Sequence, residues 1–459
     1  MHVNIPVGEV GNLYPPTTAF GLVRLLVVGC VLLLVPVSQW YWFTQAWGFT
    51  RRAQRPIWRF LFRSVLLTGF AAIVYLAFLN FSVTQSQLVW RNSAVSALAG
   101  LWISSAIFAY IAVRAVAGIS WLWQRWLPVT KRQRHATLSS VVHSAAVANV
   151  QPEIVSPGRR RFLQTSTALA GAIPFAGAGY GFVFERLHYQ VRHIDLPIAG
   201  LPAALDGFRI AQLSDIHIGS YMSAAEVFRA VSMTNELAAD LAVVTGDFIT
   251  KAHDPLEPCI AELSRLRAPL GIWGCNGNHE IYAGLEARAA QLFNKYGMRL
   301  LRQENVELAW RGQPFNLIGV DYQRERPVDS SHEPMLSAVE PMVRRDVPNI
   351  LLSHNPNSFR RSAELGIELM LAGHTHGGQV KVEILDHRFS PARFLTPYVA
   401  GLYRRPIGSA SELSDSDVWK HRVANGTALV YVNRGLGTIG APVRIGVPPE
   451  ISLLTLKRA

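Results

Sequence analysis

Five short segments in the second half of this 459-residue chain carry oxygen and imidazole donors at spacings suited to gripping cations. Asp215 and His217 stand two apart, so at the end of a strand their side chains share one face and can hold a single ion. Asp247 follows Gly246: a carboxylate has two oxygens and can bridge two cations, and the glycine lets the backbone turn tightly before it. Asn278 offers a carbonyl oxygen, and His279 beside it is an imidazole able to act as an acid near neutral pH. His354 stands alone, while His374 and His376 place two imidazoles on one side of an extended segment ahead of Gly377-Gly378. Each cluster alone has an ordinary explanation, as a chance Asp-x-His triplet or polar surface. The donors are oxygen and imidazole without thiolate, which suits Mn, Fe or Zn and excludes a structural cysteine-zinc site.

The elements that must position these residues are legible in the hydrophobic pattern. From Phe208 onward, short β-rich runs alternate with amphipathic helical runs, which predicts an α/β layered domain. Strands are expected over Phe208 to Leu213, Leu241 to Thr245, Gly271 to Gly274, Phe315 to Val320, Asn349 to Ser353 and Glu368 to Ala372, and every polar cluster follows one of them. Ser223-Ala224-Ala225-Glu226 reads as a capping box opening a helix to about Ala239, and a second helix is expected from Leu256 to about Arg267. Groups beyond the carboxyl ends of strands in such sheets converge on one edge. Asp321, closing Ile318-Gly319-Val320, is a candidate to orient a ligand or cap a turn, and Arg434 a candidate phosphate contact or plain surface residue.

Taken together and in this order, the clusters resemble the five-part pattern of the calcineurin-like metallophosphoesterases: Asp-x-His, Gly-Asp, Gly-Asn-His-Glu, His and Gly-His-x-His over about residues 208 to 376. The wider match, with His354-Asn355-Pro356 and Asn433-Arg434-Gly435-Leu436-Gly437, is similar to the cell-envelope branch of that family with twin-arginine-type leaders. The resemblance implies a four-layer αββα sandwich and two divalent metal ions. It places Asp215, His217, Asp247 and His376 on the first metal and Asp247, Asn278, His354 and His374 on the second, with Asp247 as the bridge. Cations about 3.5 to 4 Å apart lower the pKa of a water toward neutrality and clamp phosphoryl oxygens during in-line attack. His279 would then protonate the leaving oxygen or steady the phosphoryl charge.

The first half of the chain is of another kind. Half of all residues are hydrophobic and only 16% charged, with mean hydropathy +0.19, which points to a membrane portion. Apolar stretches near Ala19 to Trp40, Phe60 to Asn80 and Ala94 to Val113 approach the length of a bilayer crossing, and a fourth, Ser166 to Phe184, follows Gly158-Arg159-Arg160-Arg161-Phe162-Leu163-Gln164, which resembles a twin-arginine export signal. Four units are expected: a three-helix transmembrane region 1–135, a cytoplasmic linker 136–157, the signal or fourth helix 158–185, and the catalytic domain 191–459. Arg51, Arg52, Arg55 and Arg59 in the first connection, against Arg91 alone in the second, place the first connection inside and the N-terminus outside, so the chain re-emerges outside after the fourth helix. Ala176-Gly177-Ala178 could serve as a cleavage site, with retention favoured. Cys30, Cys259 and Cys275 read as buried free thiols, with a Cys259 to Cys275 bridge open if the domain meets an oxidising space.

The formal charge of +13 does not mark a nucleic-acid binder. Residues 1 to 190 hold 16 basic residues against three acidic ones, while 28 of each sign balance in the rest. The expectation is a metal-dependent phosphoric ester hydrolase on the outer side of the cytoplasmic membrane, cutting phosphodiester, pyrophosphate or phosphomonoester bonds of a phosphorylated small-molecule or lipid-linked substrate. The alternative is a membrane metal-binding sensor with little catalysis, which would need no acid such as His279 beside the metals.

Overall fold

A computed structural model describes residues 17–81, 93–126, 157–324, 335–380, 382–384, 387–389, 396–407 and 426–459. Arg91 and the expected linker, except for its last residue Pro157, lie outside them. Four long helices come first: α1 (Thr17–Phe49), α2 (Pro56–Phe81), α3 (Ser93–Trp126) and α4 (Pro157–Val183). α1, α2 and α3 each contain one of the apolar stretches, and α4 holds the fourth up to Val183. Among the described residues, Pro56–Tyr75, Gly100–Trp123 and Arg161–Leu187 are long and apolar enough to cross a membrane.

Residues 30–75, 102–126 and 157–177 fall in a helical unit that buries Ser38, Gln39, Thr50 and Ser105. The Trp42 indole donates to the Ala106 carbonyl at 2.9 Å and the Trp102 indole to Gln39 Oε1 at 2.8 Å. Phe175 packs edge-on to Trp42, and Gly171 lets α4 lie directly on that ring. Trp40, Trp58, Phe60, Val65 and Ile173 are exposed. Apolar side chains outside and satisfied polar groups within are what a hydrocarbon solvent demands.

The unit that includes residue 178 onward holds two six-stranded sheets. In chain order its strands and helices are β1 (Gln190–Ile198), β2 (Arg209–Leu213), α5 (Ala224–Asn235), β3 (Leu241–Thr245), α6 (Leu256–Leu263), β4 (Ile272–Cys275), α7 (Asn278–Ala283), α8 (Glu286–Lys295), β5 (Arg299–Leu300), β6 (Glu304–Trp310) and β7 (Gln313–Gly319). There follow β8 (Asn349–Leu352), α9 (Phe359–Glu364), β9 (Leu369–Ala372), the small hairpin β10 (Val382–Ile384) and β11 (His387–Phe389), β12 (Gly401–Pro406), β13 (Thr427–Val432) and β14 (Glu450–Arg458). One sheet runs β1-β14-β2-β3-β4-β5 and the other β12-β13-β9-β8-β7-β6.

Strand periodicity sorts the side chains into layers. Leu241 and Val243 of β3 meet Ile350 and Leu352 of β8 in a core between the sheets. Their neighbours Ala242 and Val244 face α5, α6 and α8, while Leu351 faces α9. The order helix, sheet, sheet, helix is the expected αββα sandwich. The Ser223–Glu226 capping box is present, with Ser223 N–H donating to Glu226 at 2.6 Å. Both α5 and α6 end about four residues earlier than periodicity predicts; after α5 the chain turns back through Ala238, at φ +47°. Cys259 and Cys275 are buried free thiols.

Candidate metal centre

β2, β3 and β4 run parallel, as do β7, β8, β9 and β13, so their C-terminal ends deliver loops to one edge of each sheet. All seven predicted donors and His279 converge there. Three overlapping groups form: Asp215, His217 and His376; His217, Asp247 and His279; Asp247, His354 and His374, with the donor atoms of each group within 4.8 Å of one another. Asp247 occupies the middle, its Oδ2 lying 3.5 Å from His217 Nε2 and 3.0 Å from His354 Nε2. Asn278 enters through its carbonyl oxygen, 2.8 Å from His374 Nδ1.

The loops reach this geometry at a conformational cost. Asp215, His217, Asp247, His374 and His376 all have φ between +50° and +75°, a region non-glycine residues seldom occupy. Glycines let the loops interleave: a Cβ on Gly277 would strike the Asp247 carboxylate, and one on Gly373 would strike Ser214 and Asp215.

Backbone carbonyls set the imidazole tautomers. His217 Nδ1 faces the Ile249 carbonyl at 3.0 Å, His354 Nδ1 that of Thr245 at 2.6 Å and His279 Nδ1 that of Thr250 at 2.7 Å. A carbonyl only accepts, so each Nδ1 carries a proton, and each Nε2 faces the cluster, free to ligate once it holds no proton. His217 Nε2 thereby meets His376 Nε2 at 3.1 Å. His354 Nε2 and His376 Nδ1 are buried without a hydrogen-bond partner. Lone pairs aimed at each other and at carboxylates in a buried site are satisfied by cations, so the residues present fit divalent metal.

Burial and charge act on these groups in opposite senses. Burial pushes the His217 imidazole down to about 3 and that of His374 to about 4, and holds His376 well below the usual range, keeping all three neutral as ligands must be. Asp215 is pushed up to about 6 by burial. Burial would also lower His354, but Asp247 and Asp215 outweigh it and raise the imidazole to about 10. Burial would raise Asp247, yet His354, followed by His217, holds its carboxyl well below the usual carboxylate range.

Glu280, which closes the Gly-Asn-His-Glu segment, takes a role that its motif alone does not define. Fully buried, it accepts from the amides of Asp247, Gly277, Phe248 and Ile249 at 2.9, 2.8, 2.8 and 3.2 Å, tying the loop after β3 to the loop after β4. Its position three residues after Gly277 is the available signal, a capping-box spacing. Asp321 accepts from Asn276 Nδ2 at 2.7 Å and pairs with Arg302 at 2.9 Å, so it steadies the approach to Asn278. Arg434 pairs with buried Glu450 at 3.2 Å.

Residues 208–378 match the calcineurin-like phosphoesterase family. That stretch of the chain is similar to a calcineurin-like phosphoesterase domain. The chain is similar to a transmembrane protein with metallophosphoesterase domain of Danio rerio, 29% identical over 64% of this chain and 63% of that protein, and to one of the same description from Bos taurus, 30% identical over 59% and 57%. The metallophosphoesterase YkuE of Bacillus subtilis (strain 168) is 28% identical over 65% of this chain and 97% of its own length. The chain thus spans under two thirds of the two animal proteins. The buried aspartate and histidine groups all lie within the 208–378 segment that matches this family.

Proposed function

We propose that this protein is a membrane-anchored hydrolase using two divalent cations, Mn, Fe or Zn, to cut phosphodiester, pyrophosphate or phosphomonoester bonds of a phosphorylated small-molecule or lipid-linked substrate. The observation that carries the reading is Asp247, whose carboxylate lies between the Nε2 atoms of His217 and His354. Asp215, His217, Asp247 and His376 would hold one ion, and Asp247, Asn278, His354 and His374 the other. Cations bound there supply Lewis acidity toward phosphoryl oxygens and a water of lowered pKa. The remaining work falls to this chain's own groups. His279 gives its Nδ1 proton to Thr250 and keeps Nε2 on the cluster side, where it can hold a proton for the leaving oxygen. Glu280 keeps the two carrier loops in register.

The domain sits outside the cytoplasmic membrane in this proposal, in the twin-arginine branch of the family, with 1–135, 136–157, 158–185 and 191–459 as its units. Arg51, Arg52, Arg55 and Arg59 around the start of α2 support an inside first connection. Arg159, Arg160 and Arg161 stand in the first turns of α4, and Ala176 to Ala178 lie within that helix, which favours retention over cleavage. The balanced charge beyond residue 190 argues against nucleic acid as substrate.

The test uses the full chain in detergent, stripped with chelator and reloaded with Mn²⁺, Fe²⁺ or Zn²⁺, on chromogenic phosphodiester, phosphomonoester and lipid pyrophosphate substrates. Hydrolysis should appear on reloading and vanish in Asp247→Ala. Equal rates in the two proteins would mean the centre is misassigned.

A further inference from the structure

Arg444 heads the large side chains that are fully buried in the described chain, and the hydrolytic chemistry has no use for it. Its Nη1 donates to the Val447 carbonyl at 3.1 Å, and its Nη2 to the carbonyls of Arg434 at 2.9 Å, Gly435 at 3.0 Å and Gly437. Burial pulls the guanidinium down to about 10, so it stays charged at neutral pH. Three of the four carbonyls belong to the turn that follows β13.

The opposite side of that turn rests on the metal centre. Leu436 N–H donates to the Ser214 carbonyl at 3.0 Å and Gly437 N–H to the Asp215 carbonyl at 2.8 Å. The fit is close: a Cβ on Gly435 would come within 2.6 Å of Asp215 Cβ, and one on Gly437 within 2.9 Å of His217 Cβ. Asp215 and His217 are both at φ +50°. Backbone in that region persists only where its surroundings over-determine it, and a buried guanidinium joining irregular backbone through charge-assisted bonds does this.

The last turns of α4 hold the other flank of Arg444. At Gly181 the helix lies so near the 443–445 segment that a Cβ would stand 2.5 Å from the Arg444 carbonyl and 2.7 Å from Val443 Cγ1. Glu185, just past the helix, accepts from the amides of Gly446 and Val447. Ile445 N–H donates to the Gln379 carbonyl at 2.8 Å, three residues beyond His376. The segment is therefore held between the end of a candidate membrane span and the loops of the centre.

We propose that Arg444 is a positioning residue, holding Asp215 and His217 in cation-binding geometry through the Gly435–Gly437 turn, and that the last turn of α4 fixes Arg444 in place. The membrane helix is then part of the centre's scaffold as well as an anchor. This rests on Asp215 and His217 being metal ligands, not on turnover.

The test is Mn²⁺ binding by titration calorimetry to the stripped full chain in detergent, with a thermal melt of each stripped form. Arg444→Met should weaken the tighter Mn²⁺ step by about tenfold or more, within the range for groups that orient ligands. Arg444→Lys, which restores charge but not the fork, should recover part of it. Gly181→Val should shift affinity in the same direction, and the double variant should bind no worse than Arg444→Met alone, because the helix acts through the arginine. Wild-type affinity in folded Arg444→Met overturns the proposal, and additive losses overturn the role of α4. If Arg444→Met does not fold, Arg444→Lys and Gly181→Val decide: wild-type affinity in both overturns it. A wild type that binds Mn²⁺ yet hydrolyses no phosphoester would sink the hydrolytic reading without moving these shifts.

Discussion

The candidate metal centre has two unlike halves. Asp215, His217, Asp247, His354 and His376 are each no more than 3% exposed, and four of these five stand at positive φ. His279 and His374 are half-buried, and Tyr282, its ring 6.1 Å from that of His279, is 60% exposed. In the deep half, carbonyls of neighbouring loops hold the His217 and His354 rings, whereas the open half sets His279 beside Tyr282 and His374 beside Tyr322. Burial collects where geometry must not change, while positive φ reaches both halves, at His374 as at Asp215.

The largest effect that separates the halves belongs to the open one. His279→Gln should lower kcat by roughly 10²- to 10⁴-fold, the span general acid catalysis covers, while Mn²⁺ binding stays within about twofold because the deep donors remain. Steady-state kinetics alongside calorimetry would check this. Metal affinity falling as far as kcat would make His279 a ligand and erase the distinction between the halves. A smaller effect of the opposite kind is expected from Glu280→Gln. The amide offers one acceptor oxygen where the carboxylate binds four amides with two, so Mn²⁺ affinity should fall roughly 10- to 100-fold, and kcat at saturating metal should change little. Unchanged affinity would show that the loops after β3 and β4 hold their register without it.

How much of this was legible in the residues differs between the halves for a physical reason. The convergence of the candidate donors was, because cation chemistry restricts them to a few residue types and each follows a strand. What positions the donors was not. Glu280 and Arg444 bond to backbone amides and carbonyls, groups that every residue carries, so a capping-box spacing alone marks Glu280 and no spacing marks Arg444. Positive φ at Asp215, His217 and Asp247 has no side-chain signature either, and glycine marks only the partners Gly277 and Gly373. β14 is an inner strand of its sheet, between β1 and β2, yet it lies about 240 residues from β2 in the chain and carries no motif. The α/β alternation predicts layers; it does not reveal a last strand returning antiparallel beside the second.

The smallest expected effect probes the deep half by pH. In the stripped protein the His354 imidazole is raised from 6.5 to about 10, because a proton there neutralises Asp247 and Asp215. A group whose folded pKa exceeds its unfolded one contributes stability that is complete below 6.5 and is lost as pH rises toward 10. His217, pushed down to about 3, works the other way: its contribution is present above 6.5 and is lost as pH falls toward 3. Between pH 7 and 9.5, therefore, chelator-treated protein should lose several degrees of melting temperature, followed by the fluorescence of Trp273 and Trp310. Mn²⁺ at saturation should flatten the slope, since a cation replaces the proton between His354 and Asp247. His354→Gln, stripped, should be flat as well. A stripped wild type as insensitive to pH as this variant would mean that water reaches His354, and the contrast between a sealed half and an open one would fail at its deepest residue.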